Sequence, residues 1–469
     1  MNDKVRKILC NLIYAFSANG ITMVVSVITM LVIPKFISVE EYGYSQLYIF
    51  YANYIGFLHL GIPDGIYLRY GGKSYKELNK SLFLSQYWLS FLLEILIVVC
   101  ITFSFCINVN IPEKKYVFFM LAIAAVIVLP RTFFQMVLQA TNKIGAYGKM
   151  LVIEKIIYCL MLFLFIYLKE LNFRTIILSD IIGKLFAFLY TCLVCKDMLF
   201  GKFISLKNAL YELSLNLRAG SKLMLANVAT LLLIGVIRIG IEYQWDIEVY
   251  GKVSLAINVS NFILVFINAI GIVIFPVLKR MPSQILPELY ERLKLIFAVV
   301  FSGFLILYYP MQIVIKSWLP QYEISLQYMV LIFPMCVYEC FVSMLINTYM
   351  KSLRKEKELA FINGISLLVS VALTILSTII LKNLIFSFVS IHIVYMLRFI
   401  IADVYLCKVL KKQCNTLGLI ILCVAFSVSG WYLDTLQSCL IYSVLYIGYI
   451  VINKKKLYKA YKEILKIMY

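Results

Sequence analysis

Along the chain, long apolar runs alternate with short charged turns. Stretches such as 89–105, 117–129 and 367–381 are predominantly apolar and lie so close together that an aqueous fold is excluded. A hydrocarbon core about 30 Å thick is crossed by about 20 residues of α-helix. On that criterion the pattern predicts fourteen spans, near 9–33, 43–63, 82–107, 116–140, 150–168, 175–195, 219–240, 251–275, 294–315, 325–350, 359–381, 384–407, 416–433 and 436–452. Pro310 and Pro334 fall inside the ninth and tenth and should kink them, because proline removes a backbone donor and crowds the preceding turn.

Composition supports this reading. Apolar residues make up 63% and charged residues 14% of 469, against about 45–50% and about 25% in a soluble domain. With a mean hydropathy of +0.92 there is too little polar surface for a water-soluble particle. The expected class is an all-α polytopic membrane protein with no separate soluble domain. Residues 1–7 lack the small-residue cleavage site of a removable signal, so the run that follows should stay as the first span.

A net charge of +20 could suggest a nucleic-acid partner, but the placement of the charges argues against one. With the N-terminus in the cytoplasm, 31 of the 44 Lys and Arg fall on inner segments, 8 on outer turns (counting Arg238 at the outer end of the seventh span) and 5 within spans. That bias is the positive-inside rule, and it places both termini in the cytoplasm. Lys454, Lys455, Lys456 and Lys459 in the tail are candidates for contact with anionic lipid. The twelve cysteines lie mostly in apolar runs (Cys100, Cys159, Cys192, Cys195, Cys423) and read as small core residues. With only His59 and His392 present, no metal site is expected.

Shifting the sequence by 208 residues aligns Ala18, Asn19 and Thr22 with Ala226, Asn227 and Thr230, and Glu40, Tyr42 and Gly43 with Glu248, Tyr250 and Gly251. Asn53 meets Asn261, Lys143 meets Lys351, and Lys149 meets Lys357. Six spans per half make the repeat parallel, about an axis along the membrane normal, as in transporters that rock around a central cleft. The expected domains are an N-lobe over 1–195, a basic cytoplasmic linker over 196–222 that runs into the seventh span, a second lobe over 223–407, and two further helices with a basic tail over 408–469.

An ionised side chain at mid-bilayer costs about 2.5–3.5 kcal/mol even on the lenient insertion scale, so charges within spans should pair, snorkel or line a wet cavity. Asp180 and Lys184, four apart, can neutralise each other on one helix face. Arg131, Arg238, Glu94, Glu339 and Arg398 have no same-face partner of opposite sign and are cavity candidates; Arg131 and Glu339 are equivalent under the repeat. In span 8, Ser254, Asn258, Asn261 and Asn268 share a narrow arc, and in span 7 Asn227, Thr230 and Arg238 share a face. The turn 59–72 carries four glycines with Asp64 and Arg69, which suits a gate. Glu94, Glu154, Asp180 and Glu339 are candidates to couple a cycle to H+ or Na+. No phosphate-loop, H-E-x-x-H or G-x-S-x-G motif occurs, so neither ATP hydrolysis nor an intramembrane hydrolase is expected.

Asn11, Pro34-Lys35, Glu41-Tyr42-Gly43, Leu60-Gly61, Arg69-Tyr70 and the Lys-rich turns 139–149 and 347–357 resemble the Wzx-type polysaccharide flippases of the MOP (MATE-like) exporter superfamily. The resemblance implies a MATE-like fold and a non-enzymatic protein of the bacterial cytoplasmic membrane. Its implied cargo is an undecaprenyl-diphosphate-linked oligosaccharide for capsule, exopolysaccharide or O-antigen synthesis, with a polysaccharide polymerase and a chain-length regulator as partners. It also implies a cationic central cavity, where Arg131, Arg238, Arg398 and Lys184 would sit with Asn227, Thr230, Asn258 and Asn261. Asp64, Arg69, Glu94, Glu154, Asp180 and Glu339 would be gating or ion-coupling residues. No cofactor beyond a coupling ion is expected. A lipid II flippase or an ion-coupled small-molecule or multidrug antiporter is the alternative.

Overall fold

The computed structural model describes residues 3–261 and 284–468; Asn268 and the end of the predicted eighth span lie outside them. The described residues are helical and contain no strand. They divide into two compact units, Met1–Val228 and Ala229–Tyr469.

The first unit holds α1 (Asp3–Phe36), α2 (Val39–Ala52), α3 (Ile62–Tyr70), α4 (Lys80–Asn108), α5 (Pro112–Ala140), α6 (Ile144–Tyr167), α7 (Phe173–Val194) and the opening turns of α8 (Leu206–Gln244). Local chemistry sets several starts. The Ser38 hydroxyl accepts from the Glu41 N–H at 3.2 Å, and the Asn79 side chain accepts from the Leu82 N–H at 3.2 Å. Asn172 and Thr175 exchange side-chain and backbone hydrogen bonds in a capping box. Helix α5 contacts α2, α3, α4 and α7 and is the most buried span of this unit; α4 turns Leu92, Leu96 and Phe103 outward. Cys100, expected in the core, is also on that outward face.

The second unit continues α8 and adds α9 (247–261), α10 (Leu286–Phe304), α11 (Tyr308–Trp318), α12 (Glu323–Ile332), α13 (Pro334–Cys340), α14 (Asn347–Ser352), α15 (Glu356–Thr374), α16 (Leu384–Val409), α17 (Leu417–Tyr432) and α18 (Thr435–Met468). The chain tightens to a 3-10 turn at Leu305–Leu307, just ahead of Pro310, and bends by 43° at Phe333–Pro334. Pro334 sits at the expected bend, whereas Leu286–Trp318 continues through Pro310 as one long apolar span. Six-residue π-helical stretches, Phe341–Ile346 and Ile375–Ile380, were not foreseen.

Among the described residues nine helices are long and apolar enough to cross a membrane, and the bent pair Pro320–Ile332 and Pro334–Ser352 makes ten. The other predicted spans fall on shorter apolar helices (Gly20–Phe36, Leu417–Tyr432), on α9, and on the interrupted stretch 39–70. In that stretch the expected single span breaks into α2, a 3-10 turn at Ile55–His59 and α3, because Leu60 (φ 56°) and Gly61 (φ 88°) adopt left-handed conformations.

From Leu206 onward the linker segment is helical and runs without a break into the seventh span. The first unit retains it because α3 and α8 meet backbone to backbone. A Cβ on Gly65 would overlap the Asn216 backbone, and one on Gly61 would lie 2.8 Å from Gly220 C. Glycine permits that approach. Arg69 then fastens the crossing, donating to Asn216 Oδ1 at 2.6 Å and to Glu212 Oε2 at 2.8 Å. Nearby, Tyr75 carries the Lys80 and Lys143 ammonium groups each 3.4 Å from its ring centre and donates to Asp197 Oδ1 at 2.6 Å. Burial tends to raise the Asp197 carboxyl, but the bonds from Tyr75 and Lys80 outweigh it and hold the group below its ordinary range. Asp197 therefore supports folding above the usual aspartate range and loses that contribution in acid.

Candidate functional site

In the first unit four helices converge on a set of buried and half-buried charges. Arg131 of α5 donates to Glu154 of α6, and Lys155 Nζ lies 3.7 Å from the other Glu154 oxygen. Asp180 of α7 is held by Lys184 one turn on and accepts from the Tyr48 hydroxyl of α2 at 2.8 Å. Lys155 acts electrostatically on Asp180 as well, so the groups form one cluster of three cations against two carboxylates. Arg131 and Glu154 are each 7% exposed. The Arg131 Nε–H has no acceptor among the described residues.

The second unit builds a separate network. Arg398 of α16, 1% exposed, donates from Nη1 to Glu339 Oε2 of α13 at 2.5 Å and from Nε to Asn363 Oδ1 of α15 at 3.0 Å. Asn363 passes its amide to the Thr230 hydroxyl of α8 at 3.2 Å. The Arg398 Nη2 group has no acceptor among the described residues. Arg238 of α8 donates to the Ser254 hydroxyl at 2.9 Å and the Tyr250 hydroxyl at 3.2 Å, both on α9.

The structure therefore gathers Arg131 with Glu154, Lys184 with Asp180, and Arg398 with Glu339 and, through Asn363, Thr230. The Asp180–Lys184 pair was legible from spacing. The partners of Arg131 and Arg398 arrive from neighbouring helices, which no same-helix rule detects. Asn227 is exposed and Asn258 and Asn261 are partly exposed, whereas Ser254 of the same stripe is fully buried. Asp64 and Arg69 do not act on each other. Asp64 Oδ2 lies 3.7 Å from His59 Nε2, while Arg69 reaches α8.

Glu94 stands apart. It is 2% exposed, and neither carboxylate oxygen has a hydrogen-bond partner among the described residues. Sequence reasoning placed Asp403 among the charges within spans but did not single out its partner Lys294 (2.5 Å), nor Tyr48, Glu212, Asn216 or Asn363. Their signals were ordinary polar residues whose meaning depends on the facing helix. An apolar cavity of about 140 Å³ between Tyr54, Leu58, Thr102, Phe105, Phe118 and Ala122 touches none of the predicted site residues.

Searches of the sequence against family models and against curated proteins find no match. Among solved structures, the lipid II flippase MurJ in an inward closed conformation matches 96% of this chain and 100% of its own length, with a TM-score of 0.67 at 15% identity. An inward-facing multidrug resistance MATE family transporter of the MOP superfamily matches 85% of this chain and 100% of its own, with a TM-score of 0.63 at 12% identity. The chain has the fold of MOP-superfamily transporters. At these identities the likeness establishes fold, and together with the apolar helices it makes this a multi-pass membrane protein. Both neighbours are transporters and neither is an enzyme.

Proposed function

We propose that this protein is a flippase that moves an undecaprenyl-diphosphate-linked oligosaccharide from the inner to the outer leaflet of a bacterial cytoplasmic membrane by alternating access. The product would feed capsule, exopolysaccharide or O-antigen synthesis, with a polymerase and a chain-length regulator as downstream partners. The observation that carries this reading is the likeness along the whole chain to a lipid II flippase, a protein whose cargo is a lipid-linked glycan. The Wzx-like sequence features favour an oligosaccharide repeat unit as the cargo here.

The buried arginines supply the chemistry. A diphosphate cannot cross hydrocarbon without replacement of its water, and guanidinium groups provide that through charge-assisted, bidentate hydrogen bonds. Among the described residues Arg131 Nε and Arg398 Nη2 have no acceptor, while a glutamate balances each charge. Exchange of Glu154 or Glu339 for a phosphate oxygen would leave the arginine neutralised and satisfy the idle donor. The released carboxylate would then need a proton or Na+, which links cargo binding to the coupling ion. Further polar candidates are Lys184 and Asn227 in the first unit and, separately, Arg238, Asn258 and Asn261 in the second.

Replacement of Arg131 and Arg238 singly by Ala, and of Arg398 by Met together with Glu339→Gln so that no carboxylate is stranded, tests the site. Each loses a charge-assisted bond worth about 1.5–3 kcal/mol, so surface polysaccharide at matched protein level should fall about 10-fold or more. Unchanged export in all three variants would overturn the assignment. Lipid II shares the polyprenyl diphosphate, and the MurJ likeness makes it the second cargo to consider. Rescue of cells depleted of their lipid II flippase would favour it.

Glu94 is the coupling candidate with the clearest physical case. A carboxyl with no donor near it avoids an uncompensated charge only by carrying a proton or binding a cation. Glu94→Gln should therefore fold normally yet flip a labelled polyprenyl-diphosphate sugar in proteoliposomes at a rate insensitive to pH and Na+. A variant with the wild-type ion dependence would remove Glu94 from the cycle.

A further inference from the structure

At the end of α16 and in the turn that follows, three metal-binding side chains meet, although no metal site was expected from the sequence. Asp403 and Cys407 are four residues apart on one face of α16, and both are buried. The helix then stops. Lys411 takes a left-handed conformation (φ 53°), and the Lys412 N–H bonds back to the Cys407 carbonyl at 2.9 Å. That reversal returns Cys414 so that its Sγ lies 2.8 Å from Asp403 Oδ2. One ligand atom from each of Asp403, Cys407 and Cys414 lies within 4.8 Å of the other two. Zinc–sulfur and zinc–oxygen bonds of about 2.3 Å and about 2.0–2.2 Å allow an ion at the centre of such a triangle.

We propose that Asp403, Cys407 and Cys414 bind one borderline-soft divalent cation of the zinc class, pinning residues 410–416 to the end of α16. The donor set points to this class, since two thiolates with a carboxylate disfavour the hard cations that prefer all-oxygen sites. The charges also balance. Without metal, Asp403 is neutralised by Lys294, and Tyr290 donates to its other oxygen at 2.5 Å. On binding, the two thiols release two protons to solvent and form two metal–sulfur bonds. The carboxylate, two thiolates, Lys294 and the divalent cation then sum to zero, as a buried site requires. Lys294 and Tyr290 hold the carboxylate from α10 and fix its orientation. Cys414 is exposed, which gives the ion an entry path and leaves a fourth position for water.

The test uses the full-length protein, reduced and chelator-washed in detergent, titrated with Cd2+ while the ultraviolet thiolate-to-cadmium band is followed. Wild type should take up one equivalent with a saturable band. Cys407→Ser and Cys414→Ser should each lose affinity by more than about 100-fold, beyond the effect of disturbing an outer-shell partner. Cys439→Ser, away from the cluster, should match wild type and shows that the band belongs to this site. Because serine is nearly isosteric, matching elution profiles and unfolding temperatures would show that all three variants fold. No saturable band in the wild type, or a band unchanged in either Cys407→Ser or Cys414→Ser, would overturn the proposal.

Discussion

Arg398→Ala should leave little folded protein. The substitution strands Glu339 in the second unit without its cation and deprives Asn363 of a donor to its carbonyl oxygen. Breaking a buried ion pair by removing one partner costs about 3–5 kcal/mol, a large share of the about 5–15 kcal/mol that holds a typical domain together. The expected readout is loss of the monodisperse peak after detergent extraction, or a steep fall in unfolding temperature. Replacing both partners, Glu339→Gln with Arg398→Met, removes the uncompensated charge and should restore most of the folded yield. Under the flippase reading that double variant still fails to export glycan, because its phosphate-binding guanidinium is gone. Wild-type stability of Arg398→Ala would show that the pair is not buried as described. Wild-type export by the double variant would show that Arg398 does not touch cargo.

The second large effect is expected at Gly65. Here α3 and α8 cross with their backbones in contact, and a methyl group would sit 2.7 Å from the Asn216 Cα. Neither backbone can give way as a flexible side chain would, so Gly65→Ala should cost at least the upper end of the about 1–3 kcal/mol typical of overpacking. Displacement of α3 would also pull Arg69 from Glu212 and Asn216. Gly65→Leu should not yield folded protein. The matching control is Gly364→Ala in α15, where nothing lies within 4 Å of the added methyl. That change should stabilise by about 0.5–1 kcal/mol, since alanine surrenders less chain entropy in a helix. Thermal unfolding of the two alanine variants in the same detergent gives the comparison, and equal shifts would refute the close crossing.

Much of the architecture was legible because it depends on local facts. Apolar runs fix where helices cross, and Pro310 and Pro334 mark the tightened turn and the bend. The four-residue spacing of Asp180 and Lys184 announces their pairing. The interruption at residues 55–61 was harder to read: Leu60 is an ordinary residue in sequence, and only the packed turn reveals its left-handed backbone. The linker is a related case. Its basic, mixed composition names no packing partner, whereas the close approach at Gly61, Gly65 and Gly220 sets its helical second half, the start of α8, against α3.

The candidate site divides in the same way. That Arg131, Arg398, Glu154 and Glu339 need partners or water follows from the price of a charge in hydrocarbon, which the sequence alone establishes. Which partner each takes is a property of facing helices: α5 against α6, and α16 against α13 and α15. The solitude of Glu94 and the meeting of Asp403 with Cys414 are equally invisible in one dimension. Hydrophobic burial and backbone hydrogen bonding act within a segment, so the sequence determined where long apolar helices form and which residues are costly to expose to lipid. Side-chain pairing acts between segments distant along the chain, so the tertiary structure alone decided which charges cancel, which stay idle and which gather into a site.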